Sequence, residues 1–209
     1  MRKFIVSLFL LCSSIVYSKG LQAKFSWASF YTPSSGPYIE TYLEVSGKSC
    51  YFSKMASGKF AASIEVTQVF YKDDSIKAFN KYNLLSPETE DTSRLLFDFT
   101  DQQRVSLGNG TYVLELTIRD KNNPSAKPYL LKDKINIAYY PSIVGISDIE
   151  LLTEYIASDA TSKINKNGYD LYPLVGNFYD KNQNQLKVYA EIYNTSSVIR
   201  DRKSTRLNS

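Results

Sequence analysis

The stretch Gly108-Asn109-Gly110-Thr111-Tyr112-Val113-Leu114-Glu115-Leu116-Thr117-Ile118 decides how the rest of the chain is read. Its second half puts Tyr112, Leu114, Leu116 and Ile118 on one face at a period of two, the pattern of a half-buried strand. Its front is an Asn-Gly step flanked by a second glycine. These residues accept the positive φ angles of a tight turn, so the segment predicts a hairpin tip leading into a strand. A strand rather than a helix follows the glycines, which rules out a nucleotide-binding fingerprint.

The same alternation runs outward in both directions. Upstream, Phe25, Trp27 and Ser29 share one face of a first strand that ends in the turn cluster Thr32-Pro33-Ser34-Ser35-Gly36-Pro37. Next, Ile39, Thr41, Leu43 and Val45 face one way, and Tyr38, Glu40, Tyr42 and Glu44 the other. Ser46-Gly47-Lys48 turns the chain into a short strand around Cys50 to Lys54. The longest run, Phe60 to Tyr71, buries Phe60, Ala62, Ile64 and Val66. Ile76 to Leu85 alternates less cleanly and leaves a short helix open. After the polar loop Ser86 to Thr92, Leu95, Phe97 and Phe99 form another inward row. Downstream, the loop Asp120 to Pro128 leads to a last strand with Leu131, Ile135 and Ile137 toward the core.

Seven or eight strands at these spacings predict an all-β fold, an immunoglobulin-like or fibronectin-like antiparallel β-sandwich over residues 22–140. Pro141 and Gly145 then interrupt the pattern. Beyond them, Ile146 to Ile156 reads as a strand and Lys166-Asn167-Gly168 as a turn. Tyr169 to Pro173 is short and extended. Leu186, Val188, Ala190 and Ile192 alternate with Lys187, Tyr189, Glu191 and Tyr193. Residues 146–195 are therefore expected to be the start of a second, incomplete β-sandwich.

The two ends read differently. Met1-Arg2-Lys3, an apolar run from Phe4 to Val16, and a small residue at Ser18 make residues 1–18 an expected signal peptide. The apolar run is roughly 13 residues, against about 20 needed to span a bilayer. Leu11 before Cys12 lacks the small side chain that lipoprotein cleavage requires. At the far end, residues 201–209 (Asp201 to Ser209) match one reading frame of a common sequencing adapter. They are expected to be a non-native tail, with the natural protein continuing past Arg200.

With the five basic residues and one acidic residue of these ends set aside, residues 19–200 carry twenty of each sign. No basic stripe remains to neutralise phosphates, so nucleic acid is excluded as a partner. The mature part holds a single cysteine, Cys50, flanked by Tyr51 and Phe52. No intramolecular disulfide is possible there, and a buried, inert thiol is expected. The 17 tyrosines and 11 phenylalanines suit pleated, half-buried surfaces.

The sequence contains no histidine, which removes Ser-His and Cys-His nucleophile pairs and His-containing zinc sites. No catalytic, cofactor-binding or metal-binding residue is assigned. Asp180, Asn182, Asn184 and Glu191 fall at positions 1, 3, 5 and 12 of a calcium loop. However, Gln185 stands where the sharp turn needs glycine, which favours a polar hairpin loop. Asp73-Asp74 and Glu88/Glu90/Asp91 are carboxylate groups of the kind glycoside chemistry uses. They sit in polar loops and read as solvated charge. Tyr38 and Tyr42 with Glu40 and Glu44 could line a carbohydrate- or peptide-binding face, although outward tyrosines on a strand more often pack on a neighbour. Asn109-Gly110-Thr111 fits a glycosylation sequon.

Taken together, five segments resemble the N-terminal part of the GWxTD-domain proteins, exported proteins of Gram-negative bacteria. They are Ser29-Phe30-Tyr31 before Pro37-Tyr38-Ile39-Glu40; Gly110-Thr111-Tyr112 before the Asp120 loop; Ile146-Ser147-Asp148-Ile149-Glu150-Leu151; Asn167-Gly168 ahead of Pro173; and Tyr189-Ala190-Glu191-Ile192-Tyr193. The naming Gly-Trp-x-Thr-Asp motif is absent, since the one tryptophan is Trp27. The resemblance implies compartment and architecture and brings no catalytic residues. The expectation is a periplasmic or cell-surface protein without a catalytic site or a transmembrane segment in its mature chain. It would bind another envelope protein or a cell-surface component, or serve as structure. The alternative is the non-catalytic front part of a larger envelope enzyme acting on glycans or peptides. A third reading is calcium-dependent adhesion.

Overall fold

Eight strands carry the first module: β1 (Ala23–Thr32), β2 (Gly36–Val45), β3 (Phe52–Lys54), β4 (Phe60–Lys72), β5 (Ser75–Leu85), β6 (Phe99–Ser106), β7 (Gly110–Asp120) and β8 (Tyr129–Ile137). The structure is a computed structural model that describes residues 20–93, 97–159, 161–176, 178–179, 181 and 184–198. The expected signal peptide with Cys12, the tail 201–209, and Leu95, Asp180 and Asn182 lie outside the described residues.

The strands divide into two antiparallel sheets. One has the order β1-β2-β6, and the other β5-β4-β7-β8 with β3 on the first residues of β4. Three strands thus face five in an antiparallel β-sandwich. The inward rows are the alternating apolar residues. Ile39, Leu43 and Val45 of β2 meet Ile64, Val66 and Phe70 of β4 and Leu114, Leu116 and Ile118 of β7, all nearly water-free. Burying each such side chain contributes roughly 1.5–3 kcal/mol. One polar bridge crosses this core: Gln68 Nε2 donates to Thr41 Oγ1 at 3.0 Å.

Two local expectations are corrected, and one that was left open is settled. The glycines at 108–110 do not close a hairpin, because β6 and β7 belong to opposite sheets. They form the corner between the sheets, held by the Tyr112 hydroxyl, which donates to Gly108 O at 2.9 Å. This is the tyrosine corner of immunoglobulin-like sandwiches. Within it, Asn109 is locked against β8's exit, with its Nδ2 donating to Tyr139 O and its Oδ1 accepting from Tyr139 N–H. Second, Phe97 does not join an inward row, since it is 72% exposed and only Phe99 of that pair is buried. It precedes β6, outside the pleat that would aim it inward. The stretch left open, Ile76 to Leu85, is strand, in line with its alternation. The hairpin that makes it so turns on Asp73-Asp74, with φ of 50° and 56°, the two positive angles of a type I′ turn.

The remaining segment forms β9 (Gly145–Ile146), β10 (Glu150–Ala157), β11 (Asn165–Lys166), β12 (Tyr169–Pro173), β13 (Lys187–Tyr189) and β14 (Ile192–Tyr193). Four of them make an antiparallel sheet, β11-β12-β10-β13, while β9 pairs with β14. Asn167-Gly168 is the expected turn, both residues at positive φ. The expected continuous strand at 186–193 is split at Ala190 and Glu191. Its aromatic face turns inward: Tyr193 is buried, while Val188 and Ile192 are exposed.

This second sheet lies on the outer face of β1-β2-β6. Val175 and Tyr189 pack with Ala28, Phe30, Tyr38 and Tyr42. Beside them Tyr31, Tyr139 and Tyr193 meet with centroids 5.5–5.9 Å apart, Tyr31 stacked on Tyr139 and Tyr193 edge-on to both. The first sheet is thus covered on both sides.

Candidate functional site

The face bearing Tyr38, Glu40 and Tyr42, a candidate binding surface in the sequence, is closed over. Tyr42 is 2% exposed and Glu40 fully buried. The second sheet brings Lys166 of β11 and Glu150 of β10 onto it. Lys166 Nζ lies 2.6 Å from Glu40 Oε2 and 2.7 Å from Glu150 Oε2. It also sits 3.7 Å from the centroid of the Phe30 ring, which faces the cation with its electron-rich side. Glu40 takes further donors from the Tyr42 hydroxyl (2.7 Å), Gln102 Nε2 (3.0 Å) and Arg104 Nε (2.5 Å). Two carboxylates, one ammonium and one guanidinium leave the cluster formally neutral. Such pairing is what makes buried charge tolerable.

Burial raises the Glu150 carboxyl above its ordinary range, opposed by Lys166. Glu150 Oε1 has no hydrogen-bond partner. Burial, with Glu150 and Glu40 nearby, pushes the Tyr42 phenol far up. The cluster clamps the two sheets together, with a small cavity of about 230 Å³ at its Gln102 and Arg104 side. Glu44, the fourth residue of the row, stands apart and pairs with Lys24 at 2.6 Å. Sequence reasoning missed the partners. Arg104 is 64 positions from Glu40, and Lys166 read only as the start of a turn.

The other candidates are spent locally. Glu191 accepts the Tyr189 hydroxyl on Oε1 and the Tyr193 hydroxyl on Oε2, so the last position of the calcium spacing has both oxygens engaged. Glu88 accepts from Ser57, Glu90 pairs with Lys59 at 3.6 Å, and Asp91 accepts from Ser93. Cys50 is half-buried against the core; burial, then Asp120, pushes its thiol up to about 12. A thiol in that state is a poor nucleophile.

An open groove lies where the two sheets part, between the edge strands β1 and β8. It encloses about 470 Å³ and is lined by Phe25, Ser26, Trp27, Leu131, Asp133, Ile149 and Leu151. Trp27 Nε1 donates to Asp133 Oδ2 at 2.9 Å, linking the sheets across the groove floor. Ile149 is 60% exposed at its rim. A larger depression of about 660 Å³ is lined by Ser158, Asp159, Thr161, Ser162, Lys163, Asn165 and Gly168, polar side chains and a glycine without an aromatic anchor. The sequence had placed Phe25 and Trp27 on one strand face. It could not show that Ile149 and Leu151 would join them from the second module.

Comparisons with known proteins add little. No family model matches the sequence, and no curated protein matches it. Among solved structures, a crystal structure provisionally named as the ApaA protein of Bordetella pertussis is 9% identical. The alignment covers 57% of this chain and 95% of that one at a TM-score of 0.32, a superposition too loose to carry an argument.

Proposed function

We propose that the protein is an exported, envelope-associated binding module without a catalytic site, which takes an apolar segment of a partner protein in the groove between β1 and β8. The observation that carries this reading is the groove itself. An aromatic pair, three aliphatic side chains and one carboxylate converge there. Aromatic anchors beside a polar group are the usual makings of a recognition site. Export, to the periplasm or the cell surface, is supported by the charged and apolar start of the chain. The resemblance to the front part of GWxTD-domain proteins agrees with that compartment.

The test uses Trp27, the chain's one tryptophan, as a built-in reporter. A displayed library of short random peptides is selected on the protein, and binders are titrated while indole fluorescence is followed. Peptides should shift the Trp27 emission, and Ile149→Asp should weaken them at least tenfold. Ile149 is exposed, so the variant keeps its fold. Failure to enrich peptides, or equal binding by Ile149→Asp, would overturn the proposal.

A further inference from the structure

We infer that the groove recognises main chain: an extended partner segment adds as a strand to the open edge of β1. This rests on the binding reading above and names its mode. The outer edge of β1 is carried by its odd-numbered residues. Leu21 N–H donates to Lys127 O; Ser29 donates to the Asp148 carboxylate, and Ser29 O accepts Asp148 N–H; Tyr31 N–H donates to the Tyr193 hydroxyl. Even-numbered Gln22 instead accepts from Ser46, on the β2 side.

Between these occupied positions stand Ala23, Phe25 and Trp27. Among the described residues their outward N–H and C=O groups meet no partner. The vacancy has a defined length. Three outward residues accept a strand of about five residues, or about 17 Å. Each end is closed by a backbone group already bonded, which fixes the register of what enters.

The neighbouring edge is built the opposite way. β8 presents Lys132 and Lys134 outward, while the Asp133 side chain reaches across to Trp27. Flanking lysines and an inward charge are the devices that blunt a strand edge. β1 carries one lysine in this stretch, Lys24, tied to Glu44 at 2.6 Å, and no charge at Phe25, Ser26 or Trp27. A strand added there would turn one alternate set of side chains toward Leu131 and Asp133 of β8 and the other set toward Ile149 and Leu151 of the second module. Apolar residues suit those positions, and a lysine or arginine suits the one facing Asp133. Main-chain bonds would supply affinity and these pockets specificity.

The experiment takes the peptides selected on the groove and replaces them with analogues N-methylated at alternate residues, in two complementary sets. One set should lose binding at least tenfold, because its N–H groups face β1, while the other set should keep it. In hydrogen exchange, the amides of Ala23, Phe25 and Trp27 should gain protection on binding, and that of Ser29 should not change. If both sets bind as well as the parent and those amides stay unprotected, strand addition is wrong and the groove binds through side chains alone. If no peptide shifts Trp27 emission in the first place, the binding reading falls with it.

Discussion

Lys166→Met is the most informative perturbation of the fold. Lys166 is the one cation held between Glu40 and Glu150, and all three side chains are at least 95% buried. Methionine keeps the apolar stem against Phe30 and removes only the charge. Breaking a buried pair by deleting one partner costs about 3–5 kcal/mol, because the remaining charge stays unsolvated. Arg104 still neutralises part of Glu40, so the lower half of that range is expected near neutral pH. For a chain of this size, each kcal/mol moves Tm by about 2–4 °C, giving a fall of roughly 6–16 °C.

The loss also carries a pH signature. Without Lys166, the charge that opposes burial at Glu150 is gone, so its carboxyl is raised further and protonation there relieves the buried charge. The destabilisation should therefore be smaller at pH 5 than at pH 8. Urea unfolding followed by far-ultraviolet circular dichroism at both values measures it. Adding Glu40→Gln and Glu150→Gln to Lys166→Met should recover most of the stability. A loss under about 1 kcal/mol, equal at both pH values, would mean that water solvates the cluster, and the reasoning would fail.

Two further outcomes are expected. Tyr112→Phe deletes the hydroxyl that closes the corner onto Gly108 O, and should cost about 0.5–1.5 kcal/mol in denaturant unfolding without altering the fold. Glu150 has a folded-state carboxyl raised by burial. Its contribution to stability is therefore full below about pH 4.3, the ordinary glutamate value, and is lost as pH rises through the higher folded value. Glu150→Gln should remove that part of the pH dependence, and a pH profile identical to that of the parent protein would contradict it.

The sandwich was legible because its signal is local and repeated. Ile39, Leu43 and Val45, and Tyr112 through Ile118, declare an inward face by alternation alone. What alternation cannot say is which strands share a sheet. The Gly108–Gly110 turn therefore read as a hairpin, when the chain there crosses between layers. Nor does it say what lies on the outward face. Tyr38, Glu40 and Tyr42 look solvent-bound until a sheet more than a hundred residues downstream supplies Lys166 and Glu150. The groove was half visible for the same reason. Phe25 and Trp27 announced a strand face, but the wall formed by Leu131, Ile149 and Leu151 comes from long-range packing.

The double covering of β1-β2-β6 bears on how the chain must be made and handled. A polypeptide released after residue 140 would present Ala28, Phe30 and Tyr42 to solvent, with Glu40 deprived of Lys166. That is an adhesive surface with a misfit charge, a sticky intermediate rather than a finished product. Synthesis must therefore deliver residues 146–193 promptly, and any factor that holds the unfinished chain has this face to guard. The boundary drawn at Pro141 is a seam in sequence but not in cooperativity: protease nicking in that linker should leave two halves that stay associated and melt in one transition.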